Sequence, residues 1–478
     1  MALISIGLFM IMFVIIIREE FDALPGKAGS IYSFTNRNFF LFFLAYIIIW
    51  YTQLSYRMEE RFGGIRLEAI VGAILLILAF TRYSKETKAK SPGLTLYLVA
   101  LSMAAAIQVP LSIVPELSQN LFIDNYLKYL AMSLFIITFV KNPWHLLIFI
   151  LIWMLAYWKV TMEGVIGGVT GSLVWQNQGV MRLHGSVPRY THPNSLSQVA
   201  LNVLPYVYFL YPLIKSKWIK IFFLTSVLQS LYCIMYSGSR TAYLGVMGLL
   251  FFVWWRSDRK VKIRSGVIII VVGAICFVSM PLQYKERLTS SFTGQDKEGH
   301  SSDKRKAMYR EGLSILMDNP FGLGLGGYIF EVARRTNDPG NAQEVHCLYL
   351  EVATHMGIQG FIVFMALIVK LLQIAKRNIG DINKQVVLLK KILAVNVQEN
   401  NTEYFVIKRR INELDIIKAV INATLVFLFV RLIVGILGMD FYNIHWWFTV
   451  GVFWTCSNMV QRAGLATNDL IEKSNYKM

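Results

Sequence analysis

Charge is scarce in this chain, and acidic residues are scarcer still. Only 16% of its 478 residues are charged, and 29 Asp and Glu stand against 47 Lys and Arg, for a net +18. Hydrophobic residues make up 55% and mean hydropathy is +0.50, above the level of ordinary soluble domains. That balance excludes a string of soluble domains. Cysteine is scarce too. Cys233, Cys276, Cys347 and Cys456 lie in or beside apolar segments with no paired spacing, which argues against a disulfide framework or a zinc site. A basic leader and a small-residue cleavage site are missing around Leu3 to Ile17, so that run reads as an uncleaved span.

What is present, again and again, is an apolar run of about 20 residues, enough to cross a bilayer as a helix. The runs predict spans at 1–17, 38–54, 67–81, 93–109, 122–140, 144–158, 195–214, 218–236, 241–255, 265–282, 347–369, 419–437 and 444–460. The expected fold is therefore an all-α polytopic membrane protein of about 12–13 transmembrane helices, with residues 1–478 forming a single membrane domain.

Alternate loops separate by charge. One set, which includes 18–37, 256–264 and 370–418, carries 29 Lys and Arg; the other carries 16, nine of them in the long loop 283–345. Long loops report poorly on orientation, and basic loops stay inside. The first set is therefore expected to be cytoplasmic and the second periplasmic. Most of the net charge is thus a topology signal, with no nucleic acid implied. The basic segment 370–418 is expected to be a cytoplasmic amphipathic hairpin beside anionic lipid.

Two long loops, 159–194 and 283–345, and the short turn "YSGSRTAY" then share the sparse outer side. Arginines recur there: Arg182 and Arg189, Arg240, Arg305 and Arg310. A guanidinium at the outer end of a helix offers a bidentate fork to phosphate; the plainer alternative is an arginine reaching to lipid headgroups. The segment Ser302 to Met317 predicts a short amphipathic helix, capped by Ser302 or Asp303 and ended by Asn319-Pro320. The following "PFGLGLGGYIF" has neither a preceding strand nor a GK[ST] sequence, so its glycines are expected to allow a tight turn rather than cradle phosphate.

The stretch "EVHCLYLEVATHMGIQG" puts His346 where a polar loop becomes a span. An interfacial histidine bonded to a neighbour is the plain reading. Read as part of a helix, His346 and Cys347 point apart, and His355 would lie about 13 Å deeper on the opposite face. The two histidines are then not expected to share a metal. A lone imidazole among arginines can serve as general base near neutral pH.

The ordered series "RLHGSVPRYTHPNSLSQ", "SGSRTAYL", "KRKAMYREGLSILMDNPFGLGLGGYIF" and "HCLYLEVATHMGIQG", from about Arg182 to Gly360, resembles the O-antigen ligase and polysaccharide polymerase family of bacterial envelopes. Cys347 stands where that family usually has Asn, Ser or Gln. The resemblance implies a GT-C-like architecture in the inner membrane and metal-independent, inverting transfer, with no cofactor. The donor would be an undecaprenyl-diphosphate-linked glycan. The acceptor would be a second lipid-linked repeat, for a polymerase, or a lipid A core, for a ligase. Membrane lipids and a chain-length regulator are further expected partners. His346 would be the catalytic base; Arg182, Arg189, Arg240, Arg305, Arg310 and Asn194 would bind pyrophosphate and glycan. The length of the chain favours the polymerase.

Two other readings compete. A metal-dependent transferase would draw on Glu59 and Glu60, which Arg57, Arg61 and Arg66 could instead neutralise. A lipid-linked sugar transporter or flippase would need ionisable groups at mid-membrane. Lys128 and Arg431 interrupt spans, but in their outer halves.

Overall fold

A computed structural model describes residues 2–22, 37–59, 63–86, 92–177, 180–256, 281–293, 301–337, 342–396 and 402–473, with scattered residues between 263 and 278. The described residues are almost wholly helical. In order come α1 (Ala2–Asp22), α2 (Arg37–Thr52), α3 (Leu67–Glu86), α4 (Thr95–Ile107), α5 (Pro115–Phe139) and α6 (Pro143–Val169). A hairpin follows, β1 (Val174–Asn177) paired antiparallel with β2 (Val180–Leu183). Then come α7 (Pro193–Leu210), α8 (Lys217–Ser237), α9 (Arg240–Arg256), α10 (Leu282–Thr293), α11 (Ser301–Asp318), α12 (Tyr328–Thr336), α13 (Leu348–Asn396), α14 (Thr402–Val434) and α15 (His445–Lys473). Among the described residues five helices are long and apolar enough to cross a membrane: α5, α6, α8, α13 and α14. Shorter apolar helices occupy 37–52, 95–107 and 240–255. The expected span 265–282 and Cys276 lie largely outside the described residues.

Helix α6 is the axis of the bundle. It starts cleanly: Asn142 Oδ1 accepts from the His145 N–H at 2.7 Å, and Pro143 occupies the first turn, where a missing N–H costs nothing. Its apolar residues surround it on all sides, which marks a helix buried by neighbours, and α1, α2, α7, α8 and α14 pack around it. Trp153 stacks on Phe448 of α15, ring centroids 4.7 Å apart. The span expected to end at residue 158 runs on to Val169. Lys159 does not stop it because Glu163, one turn on, takes the ammonium, and Arg57 binds the same carboxylate at 2.6 Å. The loop expected from residue 159 therefore begins at 170.

Of the segment 370–418, residues 370–396 and 402–418 are helical and form the far ends of α13 and α14, which pack on each other. Small residues bring helices close where lipid gives no hydrophobic drive. A Cβ on Gly245 of α9 would fall 2.4 Å from Leu201 of α7 and 3.0 Å from Val434 of α14.

Helix α13 holds the largest departure from expectation. Gly357 has φ 74° and ψ 176°, so two helical segments meet at a kink there. The Leu348 N–H donates to the Gly435 carbonyl at 2.8 Å, and Phe364 packs edge-on against Trp446 at 5.3 Å. A straight helix from 348 to 364 would travel about 24 Å, most of a bilayer core of about 30 Å. Instead both residues stay beside the 435–446 corner. Leu348 to Met356 is a separate helical segment, and the long descent begins after Gly357.

Candidate functional site

The segments quoted above meet at one end of the bundle. Arg182 on β2 ties the first two together. Its side chain is 1% exposed; Nε donates to the Ser237 carbonyl at 2.7 Å and Nη2 to Asn194 Oδ1 at 2.8 Å. The loop after β2 closes on itself, with the Gly185 N–H donating to the Tyr190 carbonyl at 2.8 Å. A Cβ at Gly185 would stand 2.5 Å from that oxygen, so only glycine fits without a shift. Tyr190 then donates its hydroxyl to the Tyr51 carbonyl on α2 at 2.9 Å.

His192 caps α7. Its Nδ1 accepts the Asn194 N–H at 3.2 Å, ahead of Pro193 in the first turn. Burial first, then the charges of Arg182 and His346, hold this imidazole below its ordinary range. His192, Arg182 and His346 therefore share one electrostatic neighbourhood. His192 is a residue the sequence reading passed over; its signal was the "HPN" cap pattern.

Arg240 opens α9 directly after the turn. Gly238 ends α8 in the left-handed region at φ 58°, and Ser239 Oγ accepts from the Ala242 N–H at 3.3 Å. Arg240 thus sits at the positive end of a helix dipole, where anions are favoured. Arg182 holds the carbonyl of Ser237, three residues before it.

His346 does not lie in a helix. Its φ is 45°, a region costly for most side chains but visited by histidine. The helix on which the depth of His355 was counted therefore starts only at Leu348. The Glu344 carboxylate reaches back to within 3.9 Å of His355 Nε2, and His355 Nδ1 meets the Tyr442 hydroxyl at 2.9 Å. Burial raises the Glu344 carboxyl to about 7. The helical argument that separated His346 from Cys347 no longer applies, but Cys347 is buried.

The glycine-rich stretch 320–327 buttresses this arrangement from the other side. The Leu323 and Gly324 N–H groups donate to the carbonyls of Thr354 and His355, and the Ile358 N–H donates to the Pro320 carbonyl. These amides are consumed by α13, as expected of a turn rather than a phosphate cradle. Helix α11 spans Ser301–Asp318, close to its predicted limits. It hangs over the same corner, because Tyr309 donates to the Ile436 carbonyl at 2.7 Å. Arg310 on α11 is exposed. Arg305 belongs to the first turns of α11, and its side chain lies outside the described residues.

Arg189 faces elsewhere. Its guanidinium lies over the Trp50 ring, 4.6 Å from the centroid, and the Arg189 backbone N–H donates to Gln53 Oε1 at 3.0 Å. The acids of the metal-dependent reading are Glu59 and Glu60. Glu59 is exposed, Glu60 and Arg61 lie outside the described residues, and Arg57 is committed to Glu163 rather than to either. Among the described residues no group of three His, Cys, Asp or Glu is placed to hold a metal ion. Arg431, singled out for the transport reading, is buried and paired with Asp440 at 3.2 Å. A neutralised pair of this kind is what a buried charge requires.

No curated protein matches the chain. Residues 224–365, which run from α8 through Arg240 and His346 into α13, match the family described as O-antigen ligase. Over that stretch the chain is similar to the O-antigen ligase and polymerase family, a family of membrane glycosyltransferases.

Proposed function

We propose that this protein transfers an undecaprenyl-diphosphate-linked glycan to a sugar hydroxyl at the periplasmic face, with inversion and without a metal, as a surface-polysaccharide polymerase. The observation that carries this is the meeting of His346, His192, Arg182 and the Arg240 turn at one bundle end. His346 would take the proton from the acceptor hydroxyl as that oxygen attacks the anomeric carbon. The departing diphosphate gathers negative charge as the glycosidic bond breaks. Preorganised cations stabilise such charge most where water is excluded.

The arginines divide the work. Arg240 at its helix N-terminus, with Arg305 and Arg310 of α11 above, would hold the pyrophosphate. Arg182 spends two guanidinium nitrogens on Ser237 and Asn194, so its larger contribution is to fix where Arg240 stands. The lipid tail keeps the leaving group at the membrane surface, which is why the base belongs at a loop-to-helix turn.

This reading keeps residues 1–478 as one membrane domain in the bacterial inner membrane, with GT-C-like architecture. Loops 170–194 and 283–345 would be periplasmic, and 370–418 cytoplasmic. The test is to supply purified protein and lipid-linked donor with a second lipid-linked repeat or with lipid A core. Extension of the lipid-linked repeat is expected. Transfer to the core alone would make the protein a ligase, and transfer to neither would overturn the reading.

A further inference from the structure

Exposed apolar residues run up two helices and continue onto the corner beside His346. Leu96, Val99, Met103 and Ile107 lie on one face of α4, and each is at least half exposed. Ile358, Ile362 and Val369 make a like exposed stripe on α13. Residues three, four or seven apart share one side of a helix, and apolar stripes turned away from a membrane bundle face lipid. Both stripes end at residues 320–323. Gln108, next to Ile107, donates its Nε2 to the Phe321 carbonyl at 2.6 Å, and the Ile358 N–H donates to the Pro320 carbonyl at 2.9 Å.

The exposure does not stop at that corner. Phe321 is 77% exposed and Met317, on the last turn of α11, is 79% exposed. Leu111 and Ile113, between α4 and α5, are exposed beside them, and the Ile113 N–H donates to the Leu323 carbonyl at 3.1 Å. Helix α11 has a separate face for its own core, where Ile315 is buried with Leu323, Tyr328 and Val345. Its exposed face carries Arg310, Leu313 and Met317, spaced i, i+3 and i+7. Asp318, at the same helix end, is neutralised by Arg335 at 2.6 Å. A contiguous exposed apolar patch marks a membrane or partner surface. Continuity with the α4 and α13 stripes selects lipid.

We infer that Met317 and Phe321 insert among the acyl chains of the leaflet on the His346 side, so that α11 slants into the membrane by its C-terminal end. Arg310, two turns back on the same face, then stands at the level of the lipid headgroups, where a long basic side chain keeps its charge in the polar layer. On the transfer reading above, that is also the level of the donor's diphosphate. The buried contact of Ile315 with Val345 joins the docked helix to the residue before His346. The depth of Met317 and Phe321 in lipid therefore sets the height of the imidazole over the membrane.

The experiment is spin-label accessibility on the full chain, one copy per phosphatidylcholine nanodisc. Arg310→Cys, Met317→Cys, Phe321→Cys and, as the lipid reference, Ile362→Cys each carry a nitroxide in a Cys276→Ala background; Cys233, Cys347 and Cys456 are buried. Power saturation reads access to oxygen, which concentrates in lipid, against access to a water-soluble nickel chelate. No donor is present, so the outcome does not depend on whether transfer occurs. The oxygen-to-nickel ratio at 317 and 321 is expected to approach that at 362, and to be several times higher than at 310. Labels at 317 and 321 that meet the nickel chelate freely, with oxygen access well below that at 362, would overturn the proposal. So would low access to both reagents, which would mean that protein covers the patch.

Discussion

Arg182 and Asn194 are joined by a 2.8 Å hydrogen bond that links β2 to the first turn of α7, while the same guanidinium holds the Ser237 carbonyl at the end of α8. Three chain segments thus depend on one buried side chain. Arg182→Ala should cost about 3 kcal/mol or more, since each charge-assisted bond is worth about 1.5 to 3 kcal/mol. Arg182→Lys can restore only part, because an ammonium cannot span both acceptors. Thermal unfolding in nanodiscs checks this; a Lys variant as stable as wild type would contradict the bridging role.

His346 and Arg240 should separate by role. His346→Ala is expected to lower turnover by about 10² to 10⁴-fold, the usual contribution of a general base, with donor affinity nearly unchanged. Arg240→Ala should weaken donor binding as well, by roughly ten- to 150-fold. Donor affinity and turnover on monodisperse protein decide it. Normal turnover in a folded His346→Ala variant would remove the histidine from the chemistry.

Glu344 should leave a mark on stability against pH. Its carboxyl is raised from 4.5 to about 7 by burial, so the folded protein binds more protons than the unfolded one between those values. Stability therefore falls as pH rises from about 4.5 to about 7. Glu344→Gln, which stays neutral throughout, should flatten the curve over that window and be the more stable protein at pH 8. Parallel curves for the two proteins would show that the carboxyl is ionised as usual.

Transfer should survive EDTA, because a cluster of arginines meets the leaving group's charge in the proposed mechanism. Added Mg²⁺ or Mn²⁺ should change the rate little. Activity lost on chelation and recovered with either ion would turn attention to Glu59 and Glu60.

Single cysteines replacing exposed residues beside the site, such as Gln343 and Thr191, should react with an impermeant maleimide in intact spheroplasts. Labelling only after the membrane is opened would reverse the orientation drawn from loop charge.

The helices that build the bundle were legible because a lipid-exposed or core-buried helix needs an uninterrupted apolar run, and such runs are written locally. Helix α11 was legible for the same reason, through Tyr309, Leu313 and the stop at Asn319-Pro320. Contacts between distant segments were not. Glu163 stands one helical turn after Lys159, but that the two pair inside the bundle, with Arg57 from a distant segment on the same carboxylate, is not written locally, so the end of α6 was misplaced. Gly357 stands in an apolar stretch that periodicity reads as one helix. Its kink depends on Phe321 and Gly322 packing against it, since a Cβ there would lie 2.5 Å from the Phe321 carbonyl carbon. His346 and the arginines could be named in advance because charge is rare on that side. That Arg182 props while Arg189 turns to Trp50 depends on the loop closure at Gly185.

The bond from Leu348 to Gly435 makes the chemistry non-portable. The family resemblance ends at residue 365, yet the segment bearing His346 is fastened to the corner between α14 and α15, some seventy residues further on. Tyr349 reinforces this by donating to the Leu432 carbonyl at 2.8 Å, as does Tyr309 at Ile436. Grafting residues 224–365 into another scaffold would carry the reactive side chains without the surface that aims them. A chimaera that exchanges α11 to α15 together, with His346 between them, is the smallest swap expected to keep the histidine in register.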